Sequence, residues 1–120
     1  MIELHHVSLL VADTGRSLAF YHDLLGLEID PLRPDLGFPG AWLKVGEQQI
    51  HLLELHNPDA MAERPLHGGR DRHTAFVVDD LDAIRGKLER AGIDYTLSRS
   101  GRQALFCRDP DQNTIELIGE

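Results

Sequence analysis

The sequence predicts an α+β fold made from two copies of one βαβββ module, and three observations carry the prediction. The same order of elements occurs twice, in "HHVSLLVADTGRSLAFYHDLLGLEI" and again in "RHTAFVVDDLDAIRGKLERAGIDY". Each stretch is followed by two more strand-like segments, "AWLKV" with "QIHLLEL" in the first and "ALFCR" with "TIELI" in the second. The spacing between corresponding residues is also nearly constant: 67 residues separate His6 from His73, 66 separate Gly26 from Gly92, and 65 separate His51 from Glu116. Agreement in three places marks a duplicated module.

In the first module, alternating residues give a strand from about Leu4 to Val11. Asp13 is placed to cap a helix on which Leu18, Phe20, Tyr21, Leu24 and Leu25 recur at helical spacing, and Gly26 is a natural stop. A strand around Leu27–Ile29 follows. In the second module, a strand over Thr74–Val78 leads to a cap at Asp79 or Asp80. A helix carrying Leu81, Ile84, Leu88 and Ala91 then ends at Gly92. The segments Asp30–Gly40 and His56–Arg72 have the proline, glycine and charge content of loops and are candidate walls of a binding site. Module one therefore spans about residues 1–55, a linker about 56–72, and module two about 73–120, within one domain. Packing a helix on one face of each sheet puts the helices outside and leaves the other face to bend around something.

Bulk properties narrow the function. A chain of 120 residues fits a single core. No apolar run approaches the ~18 residues a membrane span needs, and no secretory pattern opens the chain, so a soluble cytoplasmic protein is expected. Its single cysteine, Cys107, excludes an internal disulfide and a C-x-x-C metal knuckle. Cys107 has the helix-facing parity of its strand, which predicts a buried, inert thiol. A formal charge of −8 argues against a nucleic-acid partner, since phosphate neutralisation needs a basic face.

The unusual residue is Glu116, a carboxylate in the middle of an apolar strand. A buried charge is costly unless it is paired or binds metal. Strand alternation puts His6, Ser8 and Leu10 on one face and Val7, Leu9 and Val11 on the helix-facing side. The same parity separates His51 from Ile50 and Leu52, His73 from Phe76, and Glu116 from Ile115 and Leu117. If the modules pair about a pseudo-twofold axis, His6, His51, His73 and Glu116 converge. Two histidines and one carboxylate are a common open set for zinc, nickel, manganese or iron, and such a triad leaves positions for water or substrate. Glu116, or a water near it, is also the candidate proton carrier. Arg70, Arg72, Arg99, Arg102 and Arg108 cluster around the loops of module two and can grip an anionic substrate, with Trp42 and Phe106 as candidate cavity residues. His5 has the helix-facing parity, and nothing in the pattern links His22, His56 or His67 to the site.

The paired modules, a histidine at the start of each, and the closing "DPDQNTIEL" resemble the vicinal oxygen chelate superfamily. That superfamily includes glyoxalase I, methylmalonyl-CoA epimerase, fosfomycin resistance enzymes, extradiol dioxygenases and bleomycin-binding proteins. The resemblance covers essentially the whole chain. It implies that His6, His73 and Glu116 occupy metal-ligand positions, with His51 at the fourth, and that one divalent ion chelates adjacent oxygens of a small substrate. It also implies that the two modules form a half-barrel sheet with the helices on the outside, and a homodimer. Leu10 and Leu55 stand where bacterial glyoxalase I carries Arg and Asn, and Ala104 and Phe106 where fosfomycin enzymes carry Ser and Tyr. Gln112 stands where the family's "DPDG" turn has glycine. The expectation is a glyoxalase I-like lyase or isomerase acting on a small oxygenated anion. The alternatives are a single-domain ferrous dioxygenase, a thiol transferase of the antibiotic-resistance type, and a bleomycin-type binding protein.

Overall fold

The computed structural model describes residues 1–59 and 61–119; Ala60, in the expected linker, and Glu120 lie outside the described residues. The chain divides into two compact units, Met1–Asp59 and Ala60–Glu120. Each contains one four-stranded mixed sheet and one main helix, as the repeat predicts.

In the first unit, β1 (His6–Leu10) leads into α1 (Thr14–Leu18), then β2 (Glu28–Ile29), β3 (Gly40–Val45) and β4 (Gln48–Leu53). The sheet order is β1-β4-β3-β2, with β1 parallel to β4 and the other pairs antiparallel. β1 is shorter than expected, since Leu4 is exposed and outside the strand. Asp13 caps α1 by accepting from the Arg16 N–H, and Glu54 just past β4 accepts from the Thr14 N–H at 2.8 Å. Both contacts satisfy first-turn donors that the helix leaves unpaired.

The helix departs from the regular one expected. After Leu18 it widens into a π-type turn over Ala19–Leu24, with Leu25 N–H donating to Phe20 O. The sequence places two rings side by side, and the wider turn buries both: Phe20 and Tyr21 meet edge to face at 4.9 Å. They join Val11, Leu43, Ile50 and Leu52 in the core of this unit.

The second unit repeats the plan with β5 (His73–Val78), α2 (Leu81–Arg90), β6 (Tyr95–Leu97), β7 (Ala104–Arg108) and β8 (Thr114–Gly119), in the order β5-β8-β7-β6. Asp80 is the cap, accepting from Ala83 N–H. Leu88, Leu105, Ile115 and Leu117 are fully buried. Cys107 is buried too, and desolvation with the nearby Asp109 carboxylate pushes its thiol pKa up to about 12. It is the inert thiol that strand parity predicts. Among the described residues, no helix is long and apolar enough to cross a membrane.

The turn into β8 is built on Asp109, whose Oδ1 accepts from the Asp111 and Asn113 N–H groups. Gln112 completes it at φ 68°, a left-handed conformation that costs a side-chain-bearing residue about 1 kcal/mol more than glycine. Replacing Gln112 with Gly is therefore expected to raise the unfolding free energy by about 1 kcal/mol in urea denaturation. An unchanged or lowered midpoint would show that the turn is unstrained.

Candidate metal and substrate site

Each unit places its donor residues by strand register. β1 and β4 run parallel with Ser8 opposite His51 and His6 opposite Gln49, so His6 and His51 are diagonal neighbours on one face. β5 and β8 repeat this: Ala75 lies opposite Glu116 and His73 opposite Thr114. His73 and Glu116 are therefore the same diagonal pair. On the adjoining strand an aromatic ring stands opposite the second donor in both units, Trp42 opposite His51 and Phe106 opposite Glu116. Period-two alternation then puts aromatic and donor on the same face.

In the first unit the three rings stack. His6 and His51 lie nearly parallel with centroids 4.0 Å apart, and Trp42 covers the other face of His51 at 4.5 Å. His51 is also oriented by hydrogen bonds. Asp30, only 8% exposed, accepts from Gln49 Nε2 at 2.7 Å, and this turns Gln49 Oε1 toward His51 Nε2 at 2.8 Å. A carboxylate only accepts, so the amide direction follows, and His51 carries its proton on Nε2 with the Nδ1 lone pair free. Burial, then the neighbouring His6, His5 and Arg33, lowers the His51 pKa and favours the neutral imidazole that metals require. His5, on the helix-facing parity, is exposed rather than covered, and it reaches His6 through their Nδ1 atoms at 2.7 Å.

In the second unit His73 Nδ1 donates to the Asp71 carbonyl at 2.8 Å. Its Nε2 faces Glu116 Oε1, 3.2 Å away, an ion pair when the ring is protonated. A proton on Nε2 joins the two atoms, and a divalent ion bound by both can take its place. Adjacent ligands on an ion at about 2.1 Å from each are about 3.0–3.4 Å apart for angles between square and tetrahedral, so this pair fits a divalent metal. The Glu116 carboxylate is almost wholly buried, and Arg102 Nη1 stands 3.9 Å from its other oxygen. The donors are present as one pair in each unit. Among the described residues, no three His, Cys, Asp or Glu side chains are grouped to hold an ion.

The remaining candidates separate. Arg102 adjoins Glu116, while Arg70 and Arg99 are exposed and act on His67, whose pKa is lowered by desolvation and then by these two cations. His67 Nδ1 pairs with Thr96 Oγ1, and its ring stands edge to face on Phe106, which meets His73 in the same way. His67 was not linked to the site by sequence pattern, because its neighbours come from β6 and β7. Arg72 is exposed and contributes its backbone N–H to Asp71. Arg108 is not available to grip a substrate. It donates to Asp71, Thr114, the Gln112 carbonyl and the Pro65 carbonyl. Asp71 also takes two bonds from Arg64, so residues 64–72, read as linker, are tied to β7 and β8. A further arginine, Arg33, went unnoticed in the sequence. The signal was present: it is the lone basic residue of the loop Asp30–Gly40.

With paired βαβββ modules, corresponding donor diagonals and the closing "DPDQNTIEL" turn in place, family comparison agrees. The family described as the Glyoxalase/Bleomycin resistance protein/Dioxygenase superfamily matches residues 3–117, and the chain belongs to it. It is 35% identical to Glyoxylase I 4 of Arabidopsis thaliana over 98% of this chain and 70% of that protein. A crystal structure assigned to the glyoxalase family from Bacillus anthracis superposes with TM-score 0.79 at 26% identity, covering 100% of this chain and 96% of that one. Lactoylglutathione lyase from Agrobacterium tumefaciens superposes with TM-score 0.66 at 27% identity, over 98% and 92%. Members of this superfamily are mostly enzymes, typically bind a divalent metal, act on small molecules and often form dimers.

The Asp71 cluster underlies one test. Burial opposes ionisation of Asp71, but bonds from Arg108, Arg64 and the Arg72 N–H outweigh it and bring the pKa down to about 2. Asp71→Asn leaves two largely buried guanidiniums without their carboxylate and is expected to lower stability by about 2–4 kcal/mol. A depressed carboxyl contributes in full above its unfolded value of 3.8 and loses that contribution as pH falls toward about 2. Urea unfolding should show the gap between wild type and variant at about pH 7 narrowing as pH falls below 3.8 and closing only as it passes below about 2. A gap independent of pH would exclude the ion pairs as its source.

Proposed function

We propose that the protein is a divalent-metal-dependent, glyoxalase I-like enzyme, a lyase or isomerase acting on a small oxygenated anionic substrate. His6, His51, His73 and Glu116 are the proposed metal-binding residues, for zinc, nickel, manganese or iron. The observation that carries the reading is His73 Nε2 facing the buried Glu116 carboxylate at 3.2 Å, the separation of two adjacent ligands on one divalent ion. The corresponding His6–His51 diagonal, with a neutral His51, supports it.

A bound divalent ion supplies Lewis acidity, which polarises a carbonyl or hydroxyl oxygen and acidifies the neighbouring C–H. The protein's own groups do the rest. The Asp71 carbonyl holds the His73 ring and its tautomer. Gln49 and Asp30 do the same for His51. Glu116 accepts the substrate proton and returns it, with Arg102 beside its second oxygen to stabilise the carboxylate. Trp42 and Phe106 provide apolar surface next to the donors that keeps water from competing for the oxygens.

Elemental analysis of full-length protein purified without chelator is expected to find about one divalent ion per chain, and the His6→Ala, Glu116→Ala double variant is expected to lose it. Glu116→Gln should lower turnover by about 10²-fold or more, the usual range for a general base. Absence of metal after reconstitution with nickel, zinc, manganese and ferrous iron would replace this reading with a binding protein. Oxygen uptake dependent on ferrous iron would replace it with a dioxygenase. The family's tendency to dimers supports a homodimer, so light scattering should give about twice the 13.5 kDa chain mass; a monomer mass would refute that.

A further inference from the structure

We infer that Arg33 forms a carboxylate-binding site beside His51 and Trp42 in the first unit, so that the substrate's negative charge is a carboxylate on a small apolar body. The inference deepens the functional reading above, on which it rests for the reaction but not for the binding. Arg33 lies in the loop between β2 and β3, yet its guanidinium is turned inward. It packs over the Phe38 ring, 5.4 Å from the centroid, and its Nη2 donates to the Phe38 carbonyl at 2.9 Å. Gly40 leaves room for this placement, because a side chain there would strike the Leu52 carbonyl and come within 3.0 Å of Arg33 Nη2.

The turned-in group is incompletely satisfied. Arg33 Nε is buried with no hydrogen-bond partner, a state that costs a folded protein stability unless a water or a ligand group completes it. No carboxylate among the described residues pairs with Arg33. The loop's own acids are engaged elsewhere: Asp30 takes the Leu32 N–H and Gln49, and Asp35 takes the Gly37 N–H. Arg33 is close enough to His51 to help lower that histidine's proton affinity, so it is also close to the donor pair.

A cavity of about 90 Å³ lies against it, lined by Ser8, Arg33, Phe38, Trp42, His51 and three leucines. The walls select the ligand class. One guanidinium supplies one positive charge and a planar fork, which matches a planar monoanion. The other walls are mainly apolar and offer few donors, so a phosphate dianion, which needs several, is disfavoured. A small aliphatic body fits against the Trp42 and Phe38 rings.

Trp42 is the sole tryptophan, so its fluorescence reports on this cavity without labelling. The test titrates isobutyrate, its neutral counterpart isobutyramide, and inorganic phosphate into the full chain, both as purified and after removal of metal by chelator. Isobutyrate should change Trp42 emission saturably with a Kd on the order of millimolar, as expected for so small a ligand. Isobutyramide and phosphate should bind about tenfold more weakly or not at all. Chelation should leave the preference intact, and Arg33→Gln should abolish it, whereas the His6→Ala, Glu116→Ala variant should keep it. Equal response to acid and amide, tighter binding of phosphate, loss of the preference on chelation, or its survival in Arg33→Gln would each overturn the proposal. Should Arg33→Gln fail to fold, the acid-against-amide comparison on the wild type decides alone. Metal content measured on the same samples keeps a failure here distinct from a failure of the metal reading.

Discussion

The parallel pairing of each module's first strand with its last determines which side chains can meet. In both units the core face of that pair is apolar, with Ile50 and Leu52 buried in one and Ile115 and Leu117 in the other. A slip of one residue would turn these out and bring His51 or Glu116 into the core, so burial of the apolar rows enforces the register. The register then places the donors diagonally, His6 by His51 and His73 by Glu116. The cost of keeping Glu116 buried is met locally by His73 and Arg102 rather than by solvent.

The two modules share this backbone plan and differ in how they hold the rings. His51 is fixed by an amide that is itself fixed by the buried Asp30, and it sits between His6 and Trp42. His73 instead gives its Nδ1 proton to a backbone carbonyl, and that carbonyl belongs to Asp71, which two arginines anchor to β7 and β8. One histidine therefore keeps Nδ1 free, and the other turns Nε2 to Glu116. The repeat duplicates strands and parity, whereas the supporting contacts are specific to each half.

Charge is distributed with the same division. Although the chain carries a formal charge of −8, four of its arginines are not simply solvated. Arg64 and Arg108 are structural, Arg102 attends Glu116, and Arg33 is folded under a loop against Phe38. An arginine count near a site does not identify the one that meets a substrate, because guanidiniums that already have carboxylate partners are spent.

What the sequence by itself determined was the order of elements, the duplication, the family and the faces on which His6, His51, His73 and Glu116 lie. These depend on local rules: alternation along a strand, Asp13 and Asp80 as caps, and Gly26 and Gly92 as helix stops with positive φ. Alternation also buried Cys107 correctly. The tertiary structure alone decided the ring tautomers, the commitment of Arg108 to Asp71 across 37 residues, and the inward turn of Arg33. It also decided the π-type turn that buries Phe20 with Tyr21. Each of these depends on which distant atom arrives as a partner, and residue spacing carries no record of that when the partner is a carbonyl, a ring face or a cavity.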